Sequence, residues 1–253
     1  MTTFEIVAHR GAPGPAPENT IPAFVRAIEL GADFVEFDVR LTADQIPTVF
    51  HYTYLQEIST MPGLLSQYRY AQIENLDFLD RTGQSIGRFH VPRLSEVLEA
   101  LAGRIGLEIE IKSLEPEAPA LIAALLHDYR AHWEQIELTS YEPAILRDIH
   151  TKCPGLATDL LYPRSQPWMK LDIVAYEAVQ RSRLARARGV HLHPTQLNAA
   201  VVEQVRAAGL AVHAWQVEDL ETLDLVSTLK IPRFSTENIP MAVSYRQQSM
   251  NLT

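Results

Sequence analysis

The sequence predicts an α/β fold, a (β/α)₈ TIM barrel with a small cap insertion after a β-hairpin at the carboxyl end of the second strand. The chain has 253 residues, and one such barrel typically needs about 250. Eight short apolar runs alternate with stretches of helical periodicity, which is the order of parallel strands joined by crossover helices. One further strand-like run breaks the alternation and predicts the hairpin. We therefore expect residues 1–253 to form a single barrel domain, with the cap at about 42–92.

The strand candidates are short apolar runs bounded by polar turns. Runs of this kind suit strands that are covered by helices on both faces. In chain order the candidates are Phe4–Ala8, Phe34–Leu41, Gly106–Ile111, Ile136–Thr139, Ala157–Leu161, Val190–His193, Ala211–Val217 and Arg233–Thr236. Parallel strands of a barrel end at one rim, where barrel enzymes keep their active sites.

The helix candidates combine an apolar face with start and stop signals. In the first, Asn19 or Thr20 can cap the helix, Pro22 lies in the first turn and Gly31 follows the end. The candidates are Ile21–Leu30, a helix with Ser95 as N-cap that ends before Gly103, Ala118–His132, Pro143–His150, a stretch around Ile173–Arg186, Ala199–Ala208 and Leu220–Leu229.

The run Pro47–Phe50 is the one that does not fit the alternation. Only Thr42–Ile46 separates it from the second strand, and a parallel crossover needs about a dozen residues. It must therefore fold back antiparallel as a hairpin arm. The segment from Tyr52 to about His90 contains aromatic residues, Gly and Pro but little periodicity. We interpret it as an insertion that caps the carboxyl end of the barrel.

Composition excludes several classes of protein. There are 22 Lys and Arg against 31 Asp and Glu, so the net charge is −9, which argues against a broad nucleic-acid-binding surface. The lone Cys153 cannot form an internal disulfide or a thiolate metal cluster. The sequence has neither a signal-peptide pattern nor an apolar run of about 18 residues. We expect a cytoplasmic protein without membrane insertion, and the sequence does not predict its oligomeric state.

Side chains suited to catalysis gather at the predicted rim. His9 and Arg10 end the first strand, Glu36 and Asp38 lie on one face of the second, Glu110 and Lys112 end the third, and His51 follows the hairpin. Carboxylates inside a barrel are costly unless they are paired or bind a metal ion.

This combination of residues favours cleavage of a phosphodiester. Clustered carboxylates repel one another, and a divalent cation relieves the repulsion. An all-oxygen ligand set favours Mg²⁺ or Ca²⁺. Two histidines can act as acid and base, and Arg10 and Lys112 offer positive charge to an anionic small-molecule substrate. Together these groups can protonate an alkoxide leaving group and stabilise charge on phosphate oxygens.

The same residues carry a resemblance to a known family. The motifs are His9-Arg10-Gly11, Pro17-Glu18-Asn19-Thr20, Gly31-Ala32-Asp33, Glu36-Phe37-Asp38-Val39, Thr42, Asp44 and His51, followed by Glu110-Ile111-Lys112, Ser140-Tyr141, Trp215-Gln216-Val217 and Ser235-Thr236 ahead of Pro240. With these motifs, nearly the whole chain resembles the glycerophosphodiester phosphodiesterase family.

The resemblance implies a role for each site residue. His9 and His51 would be the acid/base pair, and Glu36, Asp38 and Glu110 would bind the metal ion. Arg10 and Lys112 would contact the phosphate, and Trp215 the glycerol or alcohol portion. The implied reaction is metal-dependent hydrolysis of a glycerophosphodiester to sn-glycerol 3-phosphate and an alcohol.

The chain departs from the family pattern around this site. Tyr52 stands where the family usually has Asp, Glu237 follows Thr236 in place of Asp, and Glu218 stands in place of Asn. Two other functions stay open: a lysophospholipase D- or phosphoinositide-type phosphodiesterase, and a non-catalytic phosphate- or lipid-binding module. An exposed apolar lip within residues 52–90 would favour the lipid substrates.

His191 and His193 alternate on one strand face and could suggest zinc. Because the sequence offers no third nearby ligand of the usual kind, we expect structural or pocket-lining roles for both.

Overall fold

The computed structural model describes residues 4–251 and contains eleven strands in that range. They are β1 (Glu5–Ala8), β2 (Phe34–Leu41), β3 (Pro47–Val49), β4 (Asn75–Leu79), β5 (Ser85–His90), β6 (Gly106–Ile111), β7 (Ile136–Ser140), β8 (Ala157–Leu161), β9 (Gly189–Leu192), β10 (Ala211–Ala214) and β11 (Arg233–Thr236). The α-helices of the same residues are α1 (Ile21–Glu29), α2 (Tyr70–Ile73), α3 (Leu94–Leu101), α4 (Ala118–His127), α5 (Pro143–Lys152), α6 (Leu171–Ala185), α7 (Ala199–Ala207), α8 (Leu220–Thr228) and α9 (Ile239–Asn251).

Eight of the strands form a closed parallel barrel. Their order is β1-β11-β10-β9-β8-β7-β6-β2, and pairing of β2 with β1 completes the ring. Every residue of β6 is buried, as expected for a strand between the barrel interior and an outer layer of helices. The predicted (β/α)₈ barrel is confirmed.

The predicted antiparallel hairpin, which follows from the short connection between β2 and β3, is also present. β3 pairs antiparallel with β2, with Val39 opposite Val49. The next residue, Phe50, donates its backbone N–H to the carbonyl of Asp38 at 2.9 Å. His51 therefore follows the hairpin at the level of the carboxyl-terminal half of β2.

The cap has an apolar cluster of its own. β4 and β5 form a two-stranded antiparallel sheet that the weak periodicity of this segment did not reveal. The buried members of the cluster are Phe50, Leu55, Leu65, Ile73, Leu76, Phe78 and Val91. Ile58, Met61 and Tyr68 pack against them. Most apolar residues of the cap therefore pack against this cluster and do not form an exposed apolar lip.

Several predicted boundaries were wrong. α3 is capped by Arg93, whose N–H is bonded by Glu96 at 2.7 Å, so Ser95 lies in the first turn. α4 ends at His127, and a 3₁₀ helix over Arg130–Gln135 replaces its predicted last turn.

The end of the chain differs as well. β10 ends at Ala214, before Gln216 adopts a positive φ of 59° that interrupts the extended backbone. The sequence prediction stopped at the last strand and missed α9, which has almost no amphipathic pattern. Across residues 4–251, the helices are all too short or too polar to span a bilayer.

Candidate active site

Three buried carboxylates lie together at the carboxyl ends of two neighbouring strands. β2 and β6 are paired in a register that sets Asp38 beside Glu110. Glu36 lies two residues earlier on the same face of β2. One oxygen from each carboxylate falls within 4.8 Å of the others, and the three residues are 1–8% exposed. The strand register alone therefore creates a compact set of oxygen donors.

Asp38 is the centre of the polar contacts. The Asn19 side chain donates to Asp38 Oδ2 at 2.9 Å and accepts the Asp38 backbone N–H at 3.2 Å. Arg10 Nε lies 3.4 Å from Oδ2, and Lys112 Nζ lies 3.3 Å from Oδ1. Two cations and an amide thus fix the orientation of this carboxylate.

The loop after β1 supplies both Arg10 and Asn19. Arg10 has a φ of 56° and Gly11 a φ of 82°, which reverse the chain immediately after the strand. A Cβ atom at Gly11 would lie 2.9 Å from the Ala23 carbonyl carbon, so a larger residue would push this loop away from α1. The turn directs the Arg10 N–H to Glu36 Oε2 at 2.9 Å, and the guanidinium reaches Glu18 at 3.0 Å.

Lys112 connects the carboxylates of Asp38 and Glu110. Its Nζ donates to Glu110 Oε1 at 2.6 Å while it contacts Asp38. Its side chain is only 14% exposed. A lysine held in this way can turn its remaining N–H donors toward an anion.

The electrostatics of the cluster indicate a shortage of positive charge. Burial and the neighbouring carboxylates raise the pKa of Glu36 and of Glu110. Burial also opposes ionisation of Asp38, but Lys112, His51 and Arg10 outweigh it and lower the pKa of Asp38. The three carboxylates therefore have only Arg10 and Lys112 as positively charged neighbours, and the carboxyl groups of Glu36 and Glu110 resist ionisation. A divalent cation bound by their oxygens would remove this resistance, so the donor set fits Mg²⁺ or Ca²⁺.

The two histidines have different surroundings. Burial lowers the pKa of His51 to about 3; the attraction of Asp38 opposes this, and the charges of Arg10, Lys112 and His9 reinforce it. His51 Nδ1 is buried and has no hydrogen-bond partner within residues 4–251. His9 Nδ1 also lacks a hydrogen-bond partner in the described part of the chain, but it lies 3.5 Å from Glu237 Oε1, and this contact lowers the pKa of Glu237. The site thus has one neutral ring and one ring facing a carboxylate.

Trp215 lies at the same rim, just beyond the end of β10. Its ring is partly exposed and packs edge-on to His193 with centroids 5.0 Å apart. The indole Nε1–H is buried and has no hydrogen-bond partner among the residues that the structure describes. A cavity of about 420 Å³ opens on the opposite side of the site, where Lys112, Tyr141 and the cap residue Leu65 line it.

The sequence interpretation missed three members of this site. Asn19 was expected to cap α1 or fix a loop, yet Thr20 is the N-cap and Asn19 binds Asp38. Tyr141 lies beneath Lys112, with Nζ 5.9 Å from its ring centroid. Glu237 contacts His9, although the sequence showed it only as a departure from a family pattern. Asn19 and Tyr141 belong to quoted motifs, which was the available signal.

Comparisons with known proteins agree with this architecture. Residues 9–232 match the model of the glycerophosphoryl diester phosphodiesterase family. A glycerophosphodiester phosphodiesterase of Caldanaerobacter subterraneus is 31% identical over 228 residues, which cover 87% of this chain and 88% of the relative.

Two solved structures have the same fold. A glycerophosphodiester phosphodiesterase from Agrobacterium tumefaciens superposes with a TM-score of 0.77 at 26% identity, covering 96% of this chain and 100% of that chain. A phosphodiesterase from Oleispira antarctica, in complex with the product sn-glycerol-3-phosphate, has a TM-score of 0.80 at 25% identity and covers 96% of each chain. The chain belongs to the glycerophosphoryl diester phosphodiesterase family.

Proposed function

We propose that this chain hydrolyses glycerophosphodiesters to sn-glycerol 3-phosphate and a free alcohol, and that the reaction requires Mg²⁺ or Ca²⁺. The observation that carries the proposal is the meeting of three buried carboxylates, Arg10, Lys112 and two histidines at one rim. The product-bound neighbour from Oleispira antarctica supports the choice of product.

Glu36, Asp38 and Glu110 would hold the metal ion. When bound, the ion supplies a Lewis acid that polarises a phosphoryl oxygen and the attacking hydroxyl. Arg10 and Lys112 lie beside the same carboxylates, so their free N–H donors can bind the remaining phosphate oxygens. The unpartnered Nε1–H of Trp215 can donate to a hydroxyl of the glycerol or alcohol portion.

The two histidines would divide the proton transfers. His51 is neutral at neutral pH because its pKa is low, so it can accept the proton of the nucleophile. The nucleophile is either water or the glycerol 2-hydroxyl. His9 faces the Glu237 carboxylate, which can orient a protonated ring for donation to the leaving alkoxide. If the 2-hydroxyl attacks, a cyclic phosphate forms, and the histidines exchange roles when water opens it.

Asn19 is proposed to position Asp38, and Asn19→Gly tests this role. Glycine tolerates the Asn19 φ of 57° but lacks the amide that bonds Asp38. We expect metal affinity or kcat to fall about 10–100-fold, the usual effect of losing a partner of a metal ligand. Metal titration and steady-state kinetics measure both quantities.

Gln45→Gly is the matched control for this variant. Gln45 has a similar φ of 61° but is exposed in the hairpin turn, away from the carboxylates. Its activity should equal that of the unsubstituted chain. Wild-type kinetics and metal affinity in Asn19→Gly would contradict the positioning role.

The reaction itself is tested by product analysis. Glycerophosphocholine and lysophosphatidylcholine are each incubated with the chain, and glycerol 3-phosphate, choline and lysophosphatidate are quantified. We expect glycerol 3-phosphate from glycerophosphocholine and little turnover of the lysolipid, because the apolar residues of the cap pack inward. Preferential lysolipid turnover would favour the lysophospholipase D-type function. Binding of glycerophosphocholine without any product would favour the non-catalytic module.

A further inference from the structure

A second cluster of ionisable side chains lies inside the barrel, below the proposed active site. Glu137 on β7, Asp159 on β8, His191 on β9 and His213 on β10 are all at most 5% exposed. In the strand register Glu137 is level with Glu108, whereas Thr139 is level with Glu110. The cluster is therefore one side-chain layer nearer the amino ends of the strands than the carboxylates of the rim.

We propose that Glu137, Asp159, His191 and His213 form a binding site for Zn²⁺ or a similar transition-metal ion. One ligand atom from each residue lies within 4.8 Å of the others. This site is separate from the proposed reaction and from the Mg²⁺ or Ca²⁺ site at the rim.

Five of the six distances between the ligand atoms lie between 3.0 and 3.9 Å, near the edge length of a tetrahedral site. His191 Nε2 lies 3.0 Å from Glu137 Oε1 and 3.6 Å from Asp159 Oδ2. His213 Nδ1 lies 3.9 Å from Glu137 Oε1 and 3.2 Å from Asp159 Oδ2. The two nitrogens are 3.1 Å apart. Four ligands bound tetrahedrally at about 2.0–2.1 Å would be separated by about 3.3–3.4 Å.

Hydrogen bonds connect these four atoms when no metal ion is bound, but they leave the two ring nitrogens facing each other. Each of the two ring nitrogens, on His191 and His213, faces the other and both carboxylates. If both nitrogens carry hydrogens, His191 can donate to Glu137 Oε1 and His213 to Asp159 Oδ2, but the two nitrogens, 3.1 Å apart, then cannot bond to each other. If either lacks its hydrogen, its lone pair faces carboxylate oxygens. A cation between the four atoms accepts all their lone pairs at once.

The residues around the cluster orient the ligands. His191 Nδ1 lies 3.5 Å from Glu108 Oε1, the arrangement in which a carboxylate supports a metal-bound histidine. Glu108 is 3% exposed, and its Oε2 has no hydrogen-bond partner. This buried carboxylate faces the cluster through Oε1, and its other oxygen has no partner among residues 4–251.

Two arginines occupy the outer side of the ligand carboxylates. Arg233 Nη1 donates to Glu137 Oε2 at 2.6 Å, and Arg188 also contacts this oxygen. Arg188 Nε donates to Asp159 Oδ1 at 3.3 Å, and Arg188 Nη2 donates to Asp159 Oδ2 at 3.4 Å. Glu137 Oε1 thus remains directed toward the two histidines, whereas Asp159 Oδ2 faces both the histidines and Arg188.

The barrel also leaves room for this arrangement. A Cβ atom at Gly189 would lie 2.8 Å from Asp159 Oδ2, so a side chain at this position would displace the carboxylate. The half-exposed Arg188 lies between the cluster and solvent. With four protein ligands and no open position, the site has the form of a structural zinc centre. Its two imidazoles favour zinc, whereas the all-oxygen site at the rim favours harder ions.

Metal analysis of three variants and the unsubstituted chain tests the proposal. Each protein is incubated with Zn²⁺, desalted in the presence of a weak chelator and assayed by elemental analysis. We expect about one zinc per chain in the unsubstituted protein and in Asp38→Asn, as for a closed four-ligand site. His213→Gln should lose this zinc, and His150→Gln, which changes a histidine of α5, should retain it.

Cobalt spectroscopy of the unsubstituted chain tests the same site without relying on the folding of the variants. Co²⁺ in a tetrahedral nitrogen and oxygen site absorbs visible light far more strongly than Co²⁺ in the octahedral carboxylate site expected at the rim. A strong tetrahedral spectrum that zinc abolishes supports the proposal. A folded chain that retains no zinc and gives no tetrahedral spectrum overturns it, as does zinc that leaves with Asp38→Asn and stays in His213→Gln. Neither readout depends on the proposed hydrolysis.

Discussion

An Asp38→Asn chain is expected to lose glycerophosphocholine hydrolysis by about 10³-fold, because a metal ion supplies several kcal/mol to the transition state and each 1.36 kcal/mol is a factor of ten. Asp38 is the carboxylate that contacts Arg10, Asn19 and Lys112 together. Asparagine keeps the size of the side chain but removes its charge and one oxygen. The measurement is kcat/KM for glycerol 3-phosphate release, together with Mg²⁺ and Ca²⁺ titrations.

Asp77→Asn is the control for the chemical change. Asp77 lies on β4 of the cap, where its carboxylate bonds the exposed Ser85 hydroxyl, and its replacement should leave both readouts unchanged. If Asp38→Asn has turnover and metal affinity close to those of the unsubstituted chain, Asp38 is not a metal ligand.

His51→Gln is expected to lower kcat by about 10²–10⁴-fold, the contribution of a positioned acid or base. The ring has a buried, unpartnered Nδ1 and lies near Asp38, so glutamine removes proton transfer while retaining a polar side chain. His90→Gln makes the same change on β5 of the cap, where the ring bonds Glu96, and should leave kcat unaltered. Undiminished kcat in His51→Gln would refute the acid/base assignment.

The low pKa of His51 also predicts how stability depends on pH. In metal-free buffer the folded ring has a pKa of about 3, whereas an unfolded histidine titrates near 6.5. The unfolded chain therefore binds a proton that the folded chain excludes, and the free energy of unfolding falls as the pH drops from about 6.5 toward 3. Urea titrations should show a smaller fall in His51→Gln than in the unsubstituted chain. Equal pH dependence would show that the ring is not buried in neutral form.

The barrel could be predicted from the sequence because its signals are local. Apolar runs, glycines after helices and the short Thr42–Ile46 connection each restrict the chain directly, and the hairpin follows from connection length alone. The β4–β5 sheet of the cap could not be predicted in the same way. It is stabilised by a separate cluster that includes Leu55 and Ile73 from outside the sheet, and the alternation in β4 spans only the five residues Asn75–Leu79.

The proposed active site was visible because its carboxylates follow strand spacing. Glu36 and Asp38 are two residues apart, and parallel pairing brings Glu110 beside them. The partners of His191 were not visible, because Glu137, Asp159 and His213 come from three other strands. Their proximity depends on the register of the closed barrel, which no spacing within a single segment encodes.

Metal removal and return in the unsubstituted chain tests the proposed metal requirement. Glycerol 3-phosphate release from glycerophosphocholine is measured after treatment with EDTA, and again after Mg²⁺ or Ca²⁺ is added. We expect activity to fall to background and to return with at least one of these ions, because Glu36, Asp38 and Glu110 need a cation to remain ionised together. Full activity in EDTA, from a chain shown to be free of metal, would contradict the proposal that hydrolysis requires Mg²⁺ or Ca²⁺.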